Sequence, residues 1–165
     1  MPKQPQQSAP PMPQPTAEHQ KLKEHAGNWK VACKFYMEPG KPPMETSAKE
    51  TVEMVGEFWT VSKFESEMMG APFLGRATLG FEPQSGKFVS TWIDSMSPTL
   101  CNLSGKQKGD TIVLEGEFLS MMTNSVLKHR TTEKRISKDE RIFEMFCTMP
   151  DSTEIKMMTN HYKRA

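Results

Sequence analysis

After residue 26 the chain is a succession of ten short strand-like runs, each ended by glycine, proline, asparagine, aspartate or serine. In the first run Trp29, Val31 and Cys33 share one face of a strand, and lysines lie on the other face. The connections, such as 82–86, are short and carry turn residues, which leaves no room for the crossover helix of a parallel pair. The pattern predicts an all-β antiparallel meander that closes into a barrel or folds into a sandwich.

The first 26 residues follow a different pattern. Residues 1–16 hold six of the thirteen prolines and almost no apolar side chains, which predicts a disordered or polyproline tail. Thr16 is a suitable N-cap for a short helix that begins at Ala17 and ends before Gly27, and we expect this helix to lie across one end of the barrel. The expected organisation is a Pro/Gln-rich tail over 1–16 and a single β-barrel domain over 17–165.

Composition excludes several classes of partner. The 21 Lys and Arg and 20 Asp and Glu give a net charge of +1, so no basic surface for nucleic acid or polybasic membrane anchor is predicted. No apolar run is long enough to cross a bilayer, and residues 1–7 lack the apolar stretch of a signal peptide. Cys33, Cys101 and Cys147 are an odd, widely separated set that does not suggest a disulfide framework. We expect a cytoplasmic protein.

Several strands carry polar residues on both faces. Whichever face of 126–136 points inward, a charged or imidazole group enters the barrel, and the positions of Glu50 and Asp94 have the same consequence. Buried charges are costly unless they are paired or solvated, so these residues favour a wet, ligand-sized cavity over a dry core. The alternative is that they lie near strand ends and face solvent. The predicted ligand-binding residues of the lumen are Glu50, Trp92, Asp94, His129, Arg130, Met145 and Met158.

Sequence motifs for known catalytic or cofactor chemistry are missing. The chain has no CxxC or HExxH metal motif, no glycine-rich phosphate loop and no GxSxG nucleophile elbow. No cofactor or metal is therefore predicted. One weak alternative is haem held by His161 on the last strand, and its simpler interpretation is a surface histidine beside Lys163.

A resemblance to a known family is carried by motifs spread over residues 18–164. Gly27-Asn28-Trp29 resembles the G-x-W signature of lipocalin-like barrels, in which the tryptophan closes one barrel end against a late basic residue, here Arg164 by position. Taken in order, that motif and the segments 70–75, 80–81, 87–95 and 156–164 resemble the mainly bacterial family called domain of unknown function 1579. The resemblance implies an up-and-down, lipocalin-like barrel of about ten strands with a short N-terminal helix. The family has no established catalytic residues, so it implies no activity.

Three hypotheses for function follow. The first is a non-enzymatic barrel that binds a small, partly apolar molecule in its lumen. The second is an enzyme or haem protein of the nitrobindin type that uses His161. The third is a filled barrel that docks a partner protein through its outer face or its tail, which contains a PxxP pattern at 10–13. Pairing of two copies through an edge or an outer face is compatible with all three.

Overall fold

The computed structural model describes residues 10–120 and 123–165, and residues 1–9 of the expected tail lie outside this range. A helix over Ala17–Leu22 (α1) continues into a single 3-10 turn over Lys23–His25. Ten strands follow, and their bounds are Gly27–Phe35 (β1), Met44–Val55 (β2), Trp59–Met68 (β3), Ala71–Glu82 (β4), Lys87–Asp94 (β5), Ser97–Lys108 (β6), Thr111–Ser120 (β7), Ser125–Ser137 (β8), Glu140–Thr148 (β9) and Glu154–Arg164 (β10).

The ten strands form a closed antiparallel barrel. Each strand pairs with its neighbours in sequence, and β1 closes the ring by pairing with both β2 and β10. Trp29 shows the closure directly, because it lies opposite Glu50 on one side and Arg164 on the other. This confirms the predicted up-and-down barrel with a short N-terminal helix.

The helix covers one end of the barrel, which we call the closed end. His19 of α1 accepts a hydrogen bond at Nδ1 from the Thr16 amide (2.9 Å), so its Nε2–H donates to the carbonyl of Phe81 (2.9 Å). Leu22 packs with Phe88 and Leu114 in a buried apolar cluster beneath the helix. No helix of the described residues is long and apolar enough to span a membrane.

The opposite end, which we call the mouth, is the end where β1 joins β2, β3 joins β4, β5 joins β6, β7 joins β8 and β9 joins β10. The main core cluster lies between the two ends and joins Trp29, Val31 and Cys33 of β1 with Phe64 and Tyr162. Period-two alternation explains these positions, since residues buried on β1 alternate with exposed ones. The barrel therefore has a base covered by the helix and a packed middle, and no helix of the described residues lies over the mouth.

Candidate functional site

The base of the lumen holds a buried cluster of charged side chains around Arg141. Its Nη1 donates to Oε2 of Glu133 (2.6 Å), and its Nη2 donates to Oε2 of Glu50 on the other side of the barrel. Glu133 also lies 3.1 Å from Nδ1 of His25, which belongs to the turn after α1. One guanidinium therefore joins β9 to β8 and β2, and the covering segment is attached through Glu133.

Aromatic rings enclose the same guanidinium. The central carbon of Arg141 lies 3.9 Å from the ring centre of Tyr162 and 4.8 Å from that of Trp29. Arg164 lies over Trp29 as well, at 4.2 Å, and its Nη1 donates to the carbonyl of Ala26 (2.9 Å). The tryptophan at the closed end thus lies against two arginines, and one of them is the late basic residue that the resemblance implied.

Burial and ion pairing set opposite protonation tendencies within this cluster. Burial raises the pKa of Glu50, and the attraction of Arg141 only partly offsets it. Burial acts in the same direction on Glu133, but Arg141 and His25 outweigh it and hold the pKa of this carboxyl below its ordinary value. Burial also lowers the pKa of His25, which favours its neutral form. The stable arrangement is an Arg141–Glu133 ion pair with Glu50 as the carboxyl that gains a proton more readily.

A buried amide lies next to this cluster, nearer the mouth. Asn160 is only 4% exposed and points inward between Met158 and Tyr162, opposite Phe143 of β9. Its Nδ2 lies 3.5 Å from the Tyr162 hydroxyl, whereas its Oδ1 has no hydrogen-bond partner among the described residues. An unpartnered buried amide oxygen costs about 1–3 kcal/mol. It marks a place where a donor from outside the chain fits.

Three aromatic rings form one wall of the lumen toward the mouth. Trp92 stacks on Phe73 with ring centres 6.4 Å apart, and Phe64 meets both rings edge-on. The indole lies directly over Gly75, where a Cβ would stand 2.1 Å from its Cη2 atom. Trp92 Nε1 donates to Oδ2 of Asp94 (2.9 Å), and the Met96 amide donates to Oδ1 (2.9 Å). Gly75 therefore makes the space that this tryptophan fills, and Asp94 fixes its orientation.

His129 lies on β8, where it stacks on Phe118 of β7, with ring centres 3.7 Å apart. Its Nδ1 is 2.9 Å from the carbonyl of Leu127 and so carries the proton, which leaves Nε2 as an acceptor. Burial lowers the pKa of His129. Cys147 lies opposite it on β9, and Met145 pairs with Met158 on β10. This part of the lumen is apolar, with one neutral imidazole.

Burial of the inward-facing side chains differs along the barrel. Residues of the base and middle, such as Trp29 and Cys33, are fully buried. Nearer the mouth, His129 and Cys147 are buried as well, whereas six inward-facing residues are half-buried: Phe73, Trp92, Phe118, Phe143, Met145 and Met158. We call this part of the lumen the chamber.

A separate cleft of about 500 Å³ lies at the closed end beside α1. Its wall carries charges of both signs, including Lys21, Glu133, Arg135 and Arg141. Arg135 is ion-paired with Glu24, and Arg141 belongs to the buried cluster, so these charges are largely neutralised within the chain. The described residues contain no group of three or more His, Cys, Asp or Glu that could hold a metal ion.

Six of the seven residues predicted for the lumen face inward: Glu50, Trp92, Asp94, His129, Met145 and Met158. Glu50 joins the base cluster, and the other five line the chamber. Arg130 lies on the outer surface, where it binds both carboxylate oxygens of Glu154 (2.9 and 2.6 Å) and covers the Phe146 ring.

His161 also lies outside the lumen. It alternates with the buried residues Asn160 and Tyr162, and its Nε2 is 2.5 Å from Oε1 of Glu140. The imidazole proposed as a haem ligand therefore points away from the chamber and is engaged by a carboxylate. The geometry offers no support for lumenal haem held by this residue.

Sequence reasoning missed Arg141, Glu133 and Asn160 as site residues. The signal for Arg141 was present, because it shares the apolar face of β9 with Phe143, Met145 and Cys147. Asn160 shares the inward face of β10 with Met158 in the same way. A polar residue on an otherwise apolar strand face was the informative feature at both positions.

The fold and the site together define a closed ten-stranded antiparallel barrel with a charged base and half-buried aromatic and methionine side chains toward the mouth. The sequence pattern of the family described as "Protein of unknown function (DUF1579)" matches residues 14–164, and the chain belongs to that family. No curated protein matches the sequence.

One solved structure shows the same fold, and two redesigned barrels are more distantly similar. Rv2717c from M. tuberculosis is 16% identical, with a TM-score of 0.66, over 91% of this chain and 98% of that one. A redesigned β-barrel, mFAP0, solved with DFHBI bound, is 8% identical with a TM-score of 0.49, over 86% and 99% of the two chains. A second redesigned barrel, b11L5F_LGL, is 12% identical with a TM-score of 0.46, over 87% and 93%. At these identities the likeness to Rv2717c concerns the fold alone.

Proposed function

We propose that this protein binds a small, partly apolar molecule in the chamber, and that the molecule enters through the mouth. The observation that carries this proposal is the partial solvent access of inward-facing aromatic and methionine side chains near the mouth. These side chains are less buried than Trp29 and Cys33 of the middle, and they present apolar surface that a ligand can cover. A ligand that covers them gains roughly 25 cal/mol for each Å² of apolar surface removed from water.

The polar groups of the chamber support a ligand that is not purely apolar. The Asn160 Oδ1 atom has no partner among the described residues, and Asp94 lies at the rim of the aromatic wall. Ligand sites are commonly apolar cavities with a few fixed polar groups, and the chamber fits that description. Because the charged groups of the base are tied to one another, we assign them to holding the barrel closed rather than to chemistry on a ligand.

The test uses a neutral, solvent-sensitive dye, Nile red, and two tryptophan variants of one strand. Met145→Trp adds bulk inside the chamber, whereas Ile142→Trp adds similar bulk on the outer face of the same strand. We expect the wild type and Ile142→Trp to bind the dye with similar affinity. We expect Met145→Trp to bind at least about tenfold more weakly, a difference of about 1.4 kcal/mol.

Circular dichroism and thermal melts establish that both variants are folded. Native mass spectrometry of the protein as purified, followed by organic extraction, tests for a retained ligand. Equal dye binding by all three proteins, or no binding by any of them together with no retained ligand, would contradict the proposal.

A further inference from the structure

We infer that the ligand of the chamber is an apolar cation, an alkyl- or arylalkyl-ammonium whose charged group lies beside Asp94. This inference rests on the proposed function and adds the chemical class of the ligand.

Asp94 is placed to receive such a group. It is the last residue of β5 and lies on the same inward face as Ser90 and Trp92. Its carboxylate accepts hydrogen bonds from two neutral donors, Trp92 Nε1 and the Met96 amide, each at 2.9 Å. No Lys, Arg or His within residues 10–120 and 123–165 forms an ion pair with it. A carboxylate has room for about four donors, so this one has about two acceptor positions left.

The wall beside Asp94 is the kind of surface that attracts an organic cation. The carboxylate accepts a hydrogen bond from Nε1 at the edge of the Trp92 indole. Trp92 stacks on Phe73 and contacts Phe64 edge-on. The faces of aromatic rings attract ammonium groups by about 0.5–2 kcal/mol, with tryptophan the strongest. A carboxylate and an aromatic wall together distinguish an ammonium from a neutral or anionic head group.

The rest of the chamber offers two further hydrogen-bond acceptors. Oδ1 of Asn160 is an acceptor that is buried without a partner in the described chain. The Nε2 of His129 is an acceptor too, because Nδ1 carries the proton that faces Leu127. A carboxylate ligand would bring further acceptors to these positions, whereas an ammonium, or a hydroxyl further along the ligand, brings donors.

The mouth itself is acidic. The strand connections at the mouth, together with the three strand residues on either side of each, carry more carboxylates than ammonium groups. Six carboxylates and three ammonium groups occur there: Glu38, Glu45, Glu67, Asp94, Asp151 and Glu154 against Lys34, Lys41 and Lys156. All three lysines are ion-paired with carboxylates. Glu38, Glu45 and Glu154 are ion-paired as well, which leaves Glu67, Asp94 and Asp151 without an ion pair among the described residues. This excess of carboxylates raises the local concentration of cations.

Methionines give the same entrance an apolar lining. Each of the five connections at the mouth contains a methionine in its sequence, and none of the four strand-joining connections at the closed end does. Met69 and Met37 are 91% and 58% exposed. Flexible, polarisable thioethers adapt to ligands of different shape. The methionines of the mouth therefore fit the apolar body of an amphiphile, and its carboxylates attract a positively charged group.

The test compares three probes of equal chain length: octylammonium, octanol and octanoate. Each displaces Nile red from the wild type, from Asp94→Asn and from Asp151→Asn. The two substitutions remove the same charge from the same end of the barrel, and each retains an oxygen that can accept from the following turn amide. They differ in that Asp151 lies in an exposed connection outside the chamber.

For the wild type we expect octylammonium to displace the dye at a concentration at least about tenfold lower than octanol or octanoate needs. Asp94→Asn should abolish this preference, and Asp151→Asn should retain it. Raising the salt concentration should weaken the binding of octylammonium and leave the binding of octanol unchanged.

The inference is overturned if octanol or octanoate binds the wild type as tightly as octylammonium, or if Asp151→Asn loses as much preference as Asp94→Asn. Should Asp94→Asn not fold, the probe preference and the salt dependence of the wild type still decide the question. Equal binding of all three probes would contradict only the preference for a cationic ligand, and the proposal that the chamber binds a ligand would stand. Absence of binding by Nile red and by every probe would instead contradict the proposed function itself.

Discussion

Replacing Arg141 with methionine tests whether the charged base holds the barrel together. The substitution keeps a long, flexible side chain between Trp29 and Tyr162. It removes the only ion-pair partner that Glu50 has among the described residues. It leaves two buried carboxyl groups facing each other without the intervening charge. We expect a large loss of stability, because an unpaired buried charge costs more than a missing contact.

The magnitude follows from the geometry. At an effective dielectric constant of about 20, a guanidinium about 4 Å from a carboxylate contributes roughly 4 kcal/mol of attraction, and Arg141 has two such partners. The protein can limit the loss by protonating a carboxyl group, which costs roughly 3.4 kcal/mol at pH 7 for a group of ordinary pKa. The expected loss in the free energy of unfolding is therefore about 3–5 kcal/mol, as for other broken buried pairs.

Urea denaturation at pH 8 and pH 5 measures both the size and the sign of the effect. In the variant the folded-state pKa values of the two carboxyl groups lie above their unfolded values, so folding takes up protons and the penalty shrinks as the pH falls. Arg130→Met is the matched control, since Arg130 also binds a glutamate through two nitrogens but does so on the outer surface. We expect that control to lose less than about 1 kcal/mol. Equal losses for the two variants, or a loss at Arg141 that does not depend on pH, would refute the reasoning.

Three further predictions follow from the described residues. Burial lowers the pKa of His25 and His129, so the unfolded chain binds protons that the folded chain excludes, and the free energy of unfolding should fall as the pH drops below about 6.5. His129→Phe keeps the stacked ring and should reduce the dependence of the free energy of unfolding on pH, measured by guanidinium titration. An unchanged pH dependence would contradict the assignment. Gly75→Val should push the Trp92 indole off its site, shift tryptophan emission to the red and cost about 1–3 kcal/mol; a wild-type spectrum and melting temperature would count against it. The three buried cysteines should react slowly with iodoacetamide at pH 8, because burial raises the pKa values of their thiols, to about 11 for Cys33 and Cys101. Fast labelling of the native protein would contradict this prediction.

Within the candidate site, the sequence predicted which residues face inward wherever a strand has one apolar side. Trp92, for example, lies between Thr91 and the exposed Ile93, and this period of two is a local property of the chain. On β8 both faces carry charges, so alternation cannot choose between Arg130 and His129. The strand register with β7 and β9 makes that choice, and it places His129 inside and Arg130 outside.

The sequence by itself determined the architecture: the spacing of turns and the alternation of strands require an antiparallel meander, and Gly27 before Trp29 begins its first strand. Only the tertiary structure decided the chemistry of the interior. Glu50 and Arg141 are 91 residues apart in the chain and meet because the barrel closes between β1 and β10. Whether the lumen is filled or open likewise depends on side chains from all ten strands converging on one volume. Local patterns fix the direction of each side chain, whereas contacts across the barrel exist only once the ring is closed.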